Sequence, residues 1–389
     1  MVPPNGYTKS QIRKAGNNLA NNTQVEQSME VLSYWRAKHA KALETAFDIL
    51  KRYTIKVSVS SDKDFSPLLA KRLKRTESII KKLERFRDMQ LTRINDIGGC
   101  HAVLSSEKKA YKLCRLLVKD GHFVLRRDYI EEPKDSGYRS IHLIGMFADE
   151  DGEMKPVELQ VRTRIQHSWA TALEIVDLYT KQSIKTNAGS KDWTDFFIHV
   201  SAMFELLEEN PYVRSSNPPA VALEFAKTLI AKNCDKANYS LYKVFQLREK
   251  LKTIERFDAF SSSVTVTTDH IKQASIDGYI LISIQRDGNQ FQIQSRIFRR
   301  IESKEANAAY LELEKKAIGK DSNLVVALVS TTALGGIQEA YPNYFADAKV
   351  FLEFLALLDF VYKELNPPMT RAFHRMKYSL REVMTKDSK

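Results

Sequence analysis

Three clusters in the sequence hold residues able to do chemistry together. The first is basic: RLKRTESIIKK supplies Arg72, Lys74, Arg75, Ser78, Lys81 and Lys82. Strand alternation puts Arg72 and Lys74 on one face. A helix opening at Thr76 then offers Ser78 and free backbone N–H groups, a place for phosphate oxygens. The second cluster pairs Asp96 in RINDIGGCHAVL with Glu158 in VELQVRT. Alternation in VELQVRT sets Glu158, Gln160 and Arg162 on one face, with Leu159 and Val161 on the other. An antiparallel strand with one wet face has this pattern. Two carboxylates at strand ends also suit Mg²⁺, which takes one or two carboxylates together with substrate phosphates. The third cluster is DYIEEPKDSGYRSIHLIG. Pro133 and Gly137 make a turn there, and Tyr138, Ser140 and His142 are expected on one strand face. An aromatic at a loop edge stacks on a base, worth ~1–3 kcal/mol, or packs on the core with its hydroxyl satisfied.

Other elements must position these groups. Residues 1–27 are polar and Asn-rich and read as a loose arm. A 3.6-period stripe of Leu32, Trp35, Leu43, Ala46, Phe47 and Leu50 predicts helix up to Tyr53, with His39 as a boundary or core histidine. IKVSVSS reads as a short β-run. LLAKRLKR, CHAVL, YRSIHLIGMF and VELQVRT read as strands. TESIIKKLERF, KKAYKLCRLLVKDG, RIQHSWATALEIVDLYTKQ and KDWTDFFIHVSAMFELLEEN read as helices. NPYVRSSNPPA marks a break, followed by helices at 219–233 and 241–257. Beyond it lie a hairpin turning at Asp287-Gly288, a helix in ESKEANAAYLELEKKAIG, a buried strand in NLVVALVSTTAL and a final apolar helix. The predicted fold is α+β: a mixed β-sheet domain flanked by helices over 28–215, a helical connector over 216–258, and a second α+β domain over 259–389.

Composition narrows the class. The chain has 389 residues, 43% hydrophobic and 28% charged, ordinary for a globular protein. No apolar run approaches a membrane span, and the first residues lack a signal peptide's apolar block, so a cytoplasmic location is expected. Cys100, Cys114 and Cys234 form no CxxC pair; they read as reduced core thiols. The net charge is +12, and residues 51–100 hold 13 Lys+Arg against 6 Asp+Glu. That stretch is a solvated basic face or a site for the phosphates of a nucleotide or nucleic acid.

Together the motifs RLKRTESIIKK, DIGG, PKDSGYRSIH and ELQVRTRIQHSW resemble, in this order, the RelA/SpoT nucleotidyltransferase, the synthetase domain of alarmone metabolism. The likeness extends over residues 50–180, and several motifs in order are specific where one is not. It implies transfer of pyrophosphate from ATP to the 3′-hydroxyl of an acceptor nucleotide. By resemblance, Asp96 holds Mg²⁺, and Glu158 completes the metal site or acts as the base. Arg72, Lys74, Ser78 and Lys82 match ATP-phosphate positions. Tyr138 matches the aromatic that stacks on the acceptor base; Lys134, His142 and Gln160 match acceptor-side positions. Arg162 and Gln166 brace the site, as does His101, which stands where the family commonly has Arg. The family's PKPNGY is PKDSGY here, with Asp135 and Ser136 at positions that read the base. No His-Asp dipeptide occurs, which argues against the hydrolase domain of long bifunctional members.

Three functions follow from the resemblance. One is synthesis of a (p)ppGpp-type nucleotide from ATP and GDP or GTP. Another is the same chemistry on the 3′-CCA end of tRNA, as in some toxic small members, with the positive charge suiting a polyanion. The last is a nucleotide-binding module without turnover. The C-terminal half matches no motif, and a regulatory, substrate-positioning or self-inhibiting role is an expectation. Tyr239-Ser240-Leu241-Tyr242 resembles the paired tyrosines by which some fused toxic members block their ATP site; its apolar flanks read as ordinary helix packing.

Overall fold

The structure, a computed structural model, describes residues 6–58, 66–180, 190–209, 224–229, 235–266, 278–288, 290–317, 324–331 and 341–366. The chain divides into two compact units. One comprises residues 1–132, 140–164 and 261–347; the other comprises 133–139, 165–260 and 348–389.

The first unit is built on a mixed sheet. Its strands are β1 (Leu68–Leu73), β2 (Gly98–Leu104), β3 (Val124–Asp128), β4 (Ile141–Ala148), β5 (Met154–Thr163), β6 (Val264–Val266), β7 (Gly278–Asp287), β8 (Gln290–Arg299) and β9 (Leu324–Thr331). They run in the order β3-β4-β5-β2-β1-β9-β7-β8-β6. The β2–β5 and β6–β8 pairs are parallel and the others antiparallel. Helices α1 (Lys9–Ala20), α2 (Val25–Ala37), α3 (Ala40–Ser58), α4 (Thr76–Arg85) and α5 (Glu107–Lys119) belong to this unit. One face of the sheet is dry. Leu43, Phe47 and Leu50 of α3 and Leu113 and Leu117 of α5 close on Cys100, Ala102, Leu143, Leu159 and Val161. The alternation in β5 leaves Glu158 and Gln160 on the other face, partly exposed.

Three expectations change. Residues 9–20 are helix, not a loose arm. Thr8 and Gln11 form a reciprocal capping box, and Ile12 and Leu19 are buried with Leu32, Trp35, Ile79 and Leu91. IKVSVSS does not begin a strand: α3 runs on to Ser58, because Tyr53 and Val57 continue the buried stripe, and packing overrides the β-preference of its branched residues. The rest of that run lies outside the described residues.

The third change concerns the domains. The stretch expected as a separate C-terminal domain supplies β6–β9 to the same sheet, with β9 paired to β1 through Ala70↔Thr331, Lys71↔Ser330 and Arg72↔Val329. The reason is physical: with β2 on one side only, β1 would expose an unpaired edge, and the apolar run LVVALV fills it. Helix α10 (Ser303–Lys316) packs on this part, with Ala306 and Tyr310 against Leu281, Phe298, Val326 and Leu328. The hairpin through Asp287 and Gly288 is present, with Asp287 opposite Gln290.

The second unit is helical: most of α6 (Arg164–Thr180), then α7 (Lys191–Glu208), α8 (Asp235–Leu251), α9 (Thr253–Ser262, through residue 260) and α11 (Lys349–Leu365). Trp193, Phe196 and Phe197 of α7 and Phe351 of α11 are fully buried and meet edge to face or tilted. Tyr242 is buried in α8, and Tyr239 lies edge-on to His199. The NPYVRSSNPPA break and Cys234 lie outside the described residues; Cys100 and Cys114 are buried free thiols. Among the described residues no helix is long and apolar enough to cross a membrane.

Candidate active site

The wet face of the sheet in the first unit carries the site residues in rows set by strand register. One row runs Val124, Ile144, Glu158, Gly99, Arg72. Gly99 has no side chain, so Arg72 and Glu158 stand about 10 Å apart across two strand spacings with low floor between them. The next row runs Arg127, His142, Gln160, His101, Ala70.

Glu158 is held on several sides. His142 Nδ1 lies 3.2 Å from its Oε1, and Gln160 Nε2 donates to its Oε2 at 2.7 Å. Arg162 in turn donates to Gln160 Oε1 at 2.5 Å, and the Tyr129 ring meets His142 edge-on. Burial alone would raise the pKa of the Glu158 carboxyl; the hydrogen bond and charge of His142 more than offset this and lower it, against an opposing push from the charge of Asp96. The two carboxylates therefore lie within electrostatic reach of each other.

Asp96 follows α4 and precedes β2. Lys74 Nζ reaches its Oδ2 at 2.7 Å and Lys82 Nζ its Oδ1 at 2.9 Å. Burial alone would raise the Asp96 carboxyl; the two ammonium groups more than reverse this and bring it down to about 2. Lys74 lies just past the end of β1, fixed by its N–H donating to Ile97 O at 2.8 Å. Ser78 is in the first turn of α4, and Lys82 one turn on. So Lys74, Lys82 and Asp96 are brought together, and Glu158, His142, Gln160 and Arg162 are brought together beside them in the same unit.

Sequence reasoning missed several groups. Arg127 stands next to His142 in its row, on edge strand β3, an element absent from the expectations above. Tyr344 OH lies 3.2 Å from Arg72 NH1, Tyr341 OH donates to Lys71 O at 2.7 Å, and the Tyr341 ring meets His101 edge-on. The only sequence signal was a pair of tyrosines around Pro-Asn in YPNYF, with nothing local to say what they touch.

Residues 133–139, with Lys134 and Tyr138, fall in the second unit. Strand β4 starts at Ile141, so the expected strand face through Tyr138 and Ser140 is not formed. Ser140 instead donates to Val161 O at 3.2 Å. Residues 134–138 are a tight turn: Gly137 N–H donates to Lys134 O at 2.7 Å, and Lys134 N–H to Tyr138 O at 3.2 Å. Tyr138 is 8% exposed, tilted against Trp169, with the Lys134 ammonium 4.9 Å from its ring centroid. Ser136 and Gln166 are also buried.

Gly137 has φ +85°, and Ser201 donates to its carbonyl at 2.5 Å. A Cβ there would sit 2.8 Å from Ser201 Cβ and 3.3 Å from Ile198 Cα. Gly137→Ala is expected to cost about 1–3 kcal/mol in denaturant unfolding, from left-handed strain plus the clash.

The comparisons with known proteins centre on this site. A family model described as the region found in RelA / SpoT proteins matches residues 71–183. The chain carries a RelA/SpoT-family domain. The GTP pyrophosphokinase YwaC of Bacillus subtilis is 33% identical over 111 residues, 26% of this chain and 52% of that protein. The GTP pyrophosphokinase YjbM of the same organism is 35% identical over 118 residues, 28% of this chain and 56% of that one. The chain thus spans about half the length of these two relatives. The solved small alarmone synthetase 1 from Bacillus subtilis, bound to its product pppGpp, is 25% identical with a TM-score of 0.37, covering 44% of this chain and 89% of that one. The RelA/SpoT match includes Arg72, Lys74, Asp96, Tyr138, His142 and Glu158, and it stops well short of β6–β9.

Proposed function

We propose that the chain is an ATP-dependent pyrophosphokinase that moves the β,γ-pyrophosphate of ATP to a ribose 3′-hydroxyl, breaking the bond between the β-phosphorus and the α-phosphate oxygen and releasing AMP. The observation that carries this reading is the sheet row in which Glu158, oriented by His142 and Gln160, faces Arg72 across Gly99, beside Asp96 with Lys74 and Lys82. Glu158 is ionised and takes the proton of the attacking 3′-hydroxyl. Arg72, Lys74 and Lys82 hold phosphate oxygens whose charge spreads as the β-phosphorus is attacked. Ser78 and the first turn of α4 add donors.

Asp96 and Glu158 fit a bound Mg²⁺: both carboxyls are lowered, and the charge of Asp96 opposes the ionisation of Glu158. Such an ion would neutralise phosphate charge. In this structure both Asp96 oxygens face lysines, so at least one lysine would turn from Asp96 to substrate phosphate.

GDP or GTP is the first acceptor in this reading, giving a (p)ppGpp-type product. The tRNA 3′ end is the alternative, supported by net charge +12 and by exposed Arg126 and Arg127 on β3. ATP labelled at the γ position, incubated with GDP, GTP or bulk tRNA in separate tubes, puts the label on the true acceptor. Label on no acceptor removes the enzymatic reading and leaves a nucleotide-binding module. The tRNA alternative also requires salt-sensitive tRNA binding; affinity that is absent, or unchanged between low and moderate salt, removes it.

A specific observation adds self-inhibition to this reading. Tyr344 occupies the Arg72 guanidinium, while Tyr341 lies on His101. Tyr344→Phe is expected to lower KM for ATP about fivefold, the worth of about 1 kcal/mol for one lost hydrogen bond. An unchanged KM would leave Tyr344 with a packing role.

A further inference from the structure

The start of α4 is already occupied by an anion. Glu314, on α10 and 6% exposed, accepts from the Thr76 backbone N–H at 3.1 Å and from the Thr76 hydroxyl at 2.6 Å. It also accepts from Arg36 NH1 at 2.5 Å and from the Tyr310 hydroxyl. Arg36, on α2 and 1% exposed, donates as well to Thr76 Oγ1 at 3.0 Å and to Tyr310 OH at 2.7 Å, with its guanidinium 4.6 Å from the Tyr310 ring centroid.

This is not an ordinary local cap. The preceding residue, Arg75, makes no side-chain cap bond, and the carboxylate comes from 238 residues further along the chain. A helix start draws anions, and here a buried guanidinium strengthens the draw. The same helix carries Ser78 and Lys82. A separate contact points the same way: Tyr344, from the same C-terminal stretch of the first unit, lies on Arg72. Arg72 on β1 and Thr76 at the start of α4 are therefore held by Tyr344 and Glu314, both from the part of the first unit that follows β8.

We propose that Glu314 is a tethered anion that competes with the polyphosphate of the nucleotide for the start of α4, and that Arg36 pairs with whichever of the two is present. The proposal rests on the reading of Arg72, Ser78 and Lys82 as phosphate-side residues. Withdrawing Glu314 alone would leave Arg36 as a buried cation without a counter-ion, which is strongly unfavourable. A phosphate oxygen in the carboxylate's place restores the balance. Release of α10 and entry of polyphosphate are then one exchange of anions, and the latched chain excludes its own substrate.

Titration of the full chain with inorganic tripolyphosphate tests this. Glu314→Gln removes the competing charge and is expected to tighten binding about tenfold. Tyr310→Phe keeps every charge and the ring, and is expected to tighten it about threefold; it carries the test alone if Glu314→Gln does not fold. Arg36→Met in the Glu314→Gln background should lose the gain. Binding no tighter than the parent's in the folded single variants overturns the competition, and a double variant that keeps the gain overturns the part given to Arg36. Transfer of γ-label from ATP, measured on the same proteins, separates this from the enzymatic reading. Tighter binding without transfer removes that reading and leaves the competition standing. Transfer without tighter binding does the reverse.

Discussion

Glu158→Gln is expected to lower pyrophosphate transfer about a thousandfold, within the range for loss of a general base, with little change in folding stability. The amide matches the carboxylate in size and still offers an oxygen to Gln160 or His142, so the wall of the site keeps its shape. In the function proposed above, what is lost is the charge that would take the 3′-hydroxyl proton and would share a divalent cation with Asp96. Because Glu158 stands about 10 Å from Arg72 across Gly99, the defect should fall on kcat, with KM for ATP changed little. A near-normal rate would show that the carboxylate is neither base nor ligand, and the site would need a different base. A large rise in KM for ATP with kcat retained would move Glu158 from the chemistry to nucleotide binding.

Folding stability should fall as the pH drops from about 6.5 to about 4, by about 3 kcal/mol in all. The group responsible is His39, fully buried between α2 and α3. Its Nδ1 lies 2.9 Å from Trp35 O, and its Nε2 finds no hydrogen-bond partner among the described residues. Burial depresses its pKa from 6.5 to about 4; the carbonyl of Trp35 opposes this, and the charge of Lys155 adds to it. Between those two values the unfolded chain binds a proton that the folded one refuses, so stability is full above the unfolded pKa and is lost as the solution becomes more acidic. Asp96, depressed from 3.8 to about 2, adds a second loss in a lower window, as its carboxylate is protonated. Denaturant unfolding across pH 4–7 measures the first window. His39→Phe keeps a ring against Trp35 and should flatten the curve there; an unchanged slope would assign it to another group.

The first unit's core and most of the site were legible because both rest on short-range signals. Period-2 alternation in VELQVRT placed Glu158 and Gln160 on the wet face, and the helical stripe of TESIIKKLERF placed Ser78 and Lys82 near the end of β1. His39, which interrupts the apolar stripe, read as a boundary or core histidine. Where the reading failed, the deciding contact was distant or the local signal was discounted. Thr8 and Gln11 spell a capping box in TKSQ, yet the Asn-rich context hid it. Val57 looks β-prone until the depth of Tyr53 and Val57 is known. The apolar run of β9 was visible as a buried strand, but nothing near it names β1 as its neighbour. Glu314 and Tyr344 look like ordinary residues of a helix and a loop, and their meaning lies wholly in Thr76 and Arg72, more than 200 positions earlier. Tyr138 fits a sequence pattern, but its burial against Trp169 depends on the turn's closure and on α6.

The pairing of β9 with β1 also sets an order of events during synthesis. β1 is finished at residue 73 and β9 begins at residue 324, so about 250 residues separate the two edges. The RelA/SpoT match ends at residue 183, so about 140 of these remain, and at about 5–20 residues per second that leaves roughly 7–28 s in which β1, β2 and that segment have been made and β9 has not. For that time one edge of the nascent sheet is bare, and neither Tyr344 nor Glu314 yet exists to cover Arg72 or Thr76. A ribosome that stalls between α6 and β9 would therefore hold a chain with Arg72 and Thr76 uncovered and an open edge prone to pairing with other strands. Codon tempo across residues 180–324 then becomes a physical variable of this protein, alongside its folded contacts.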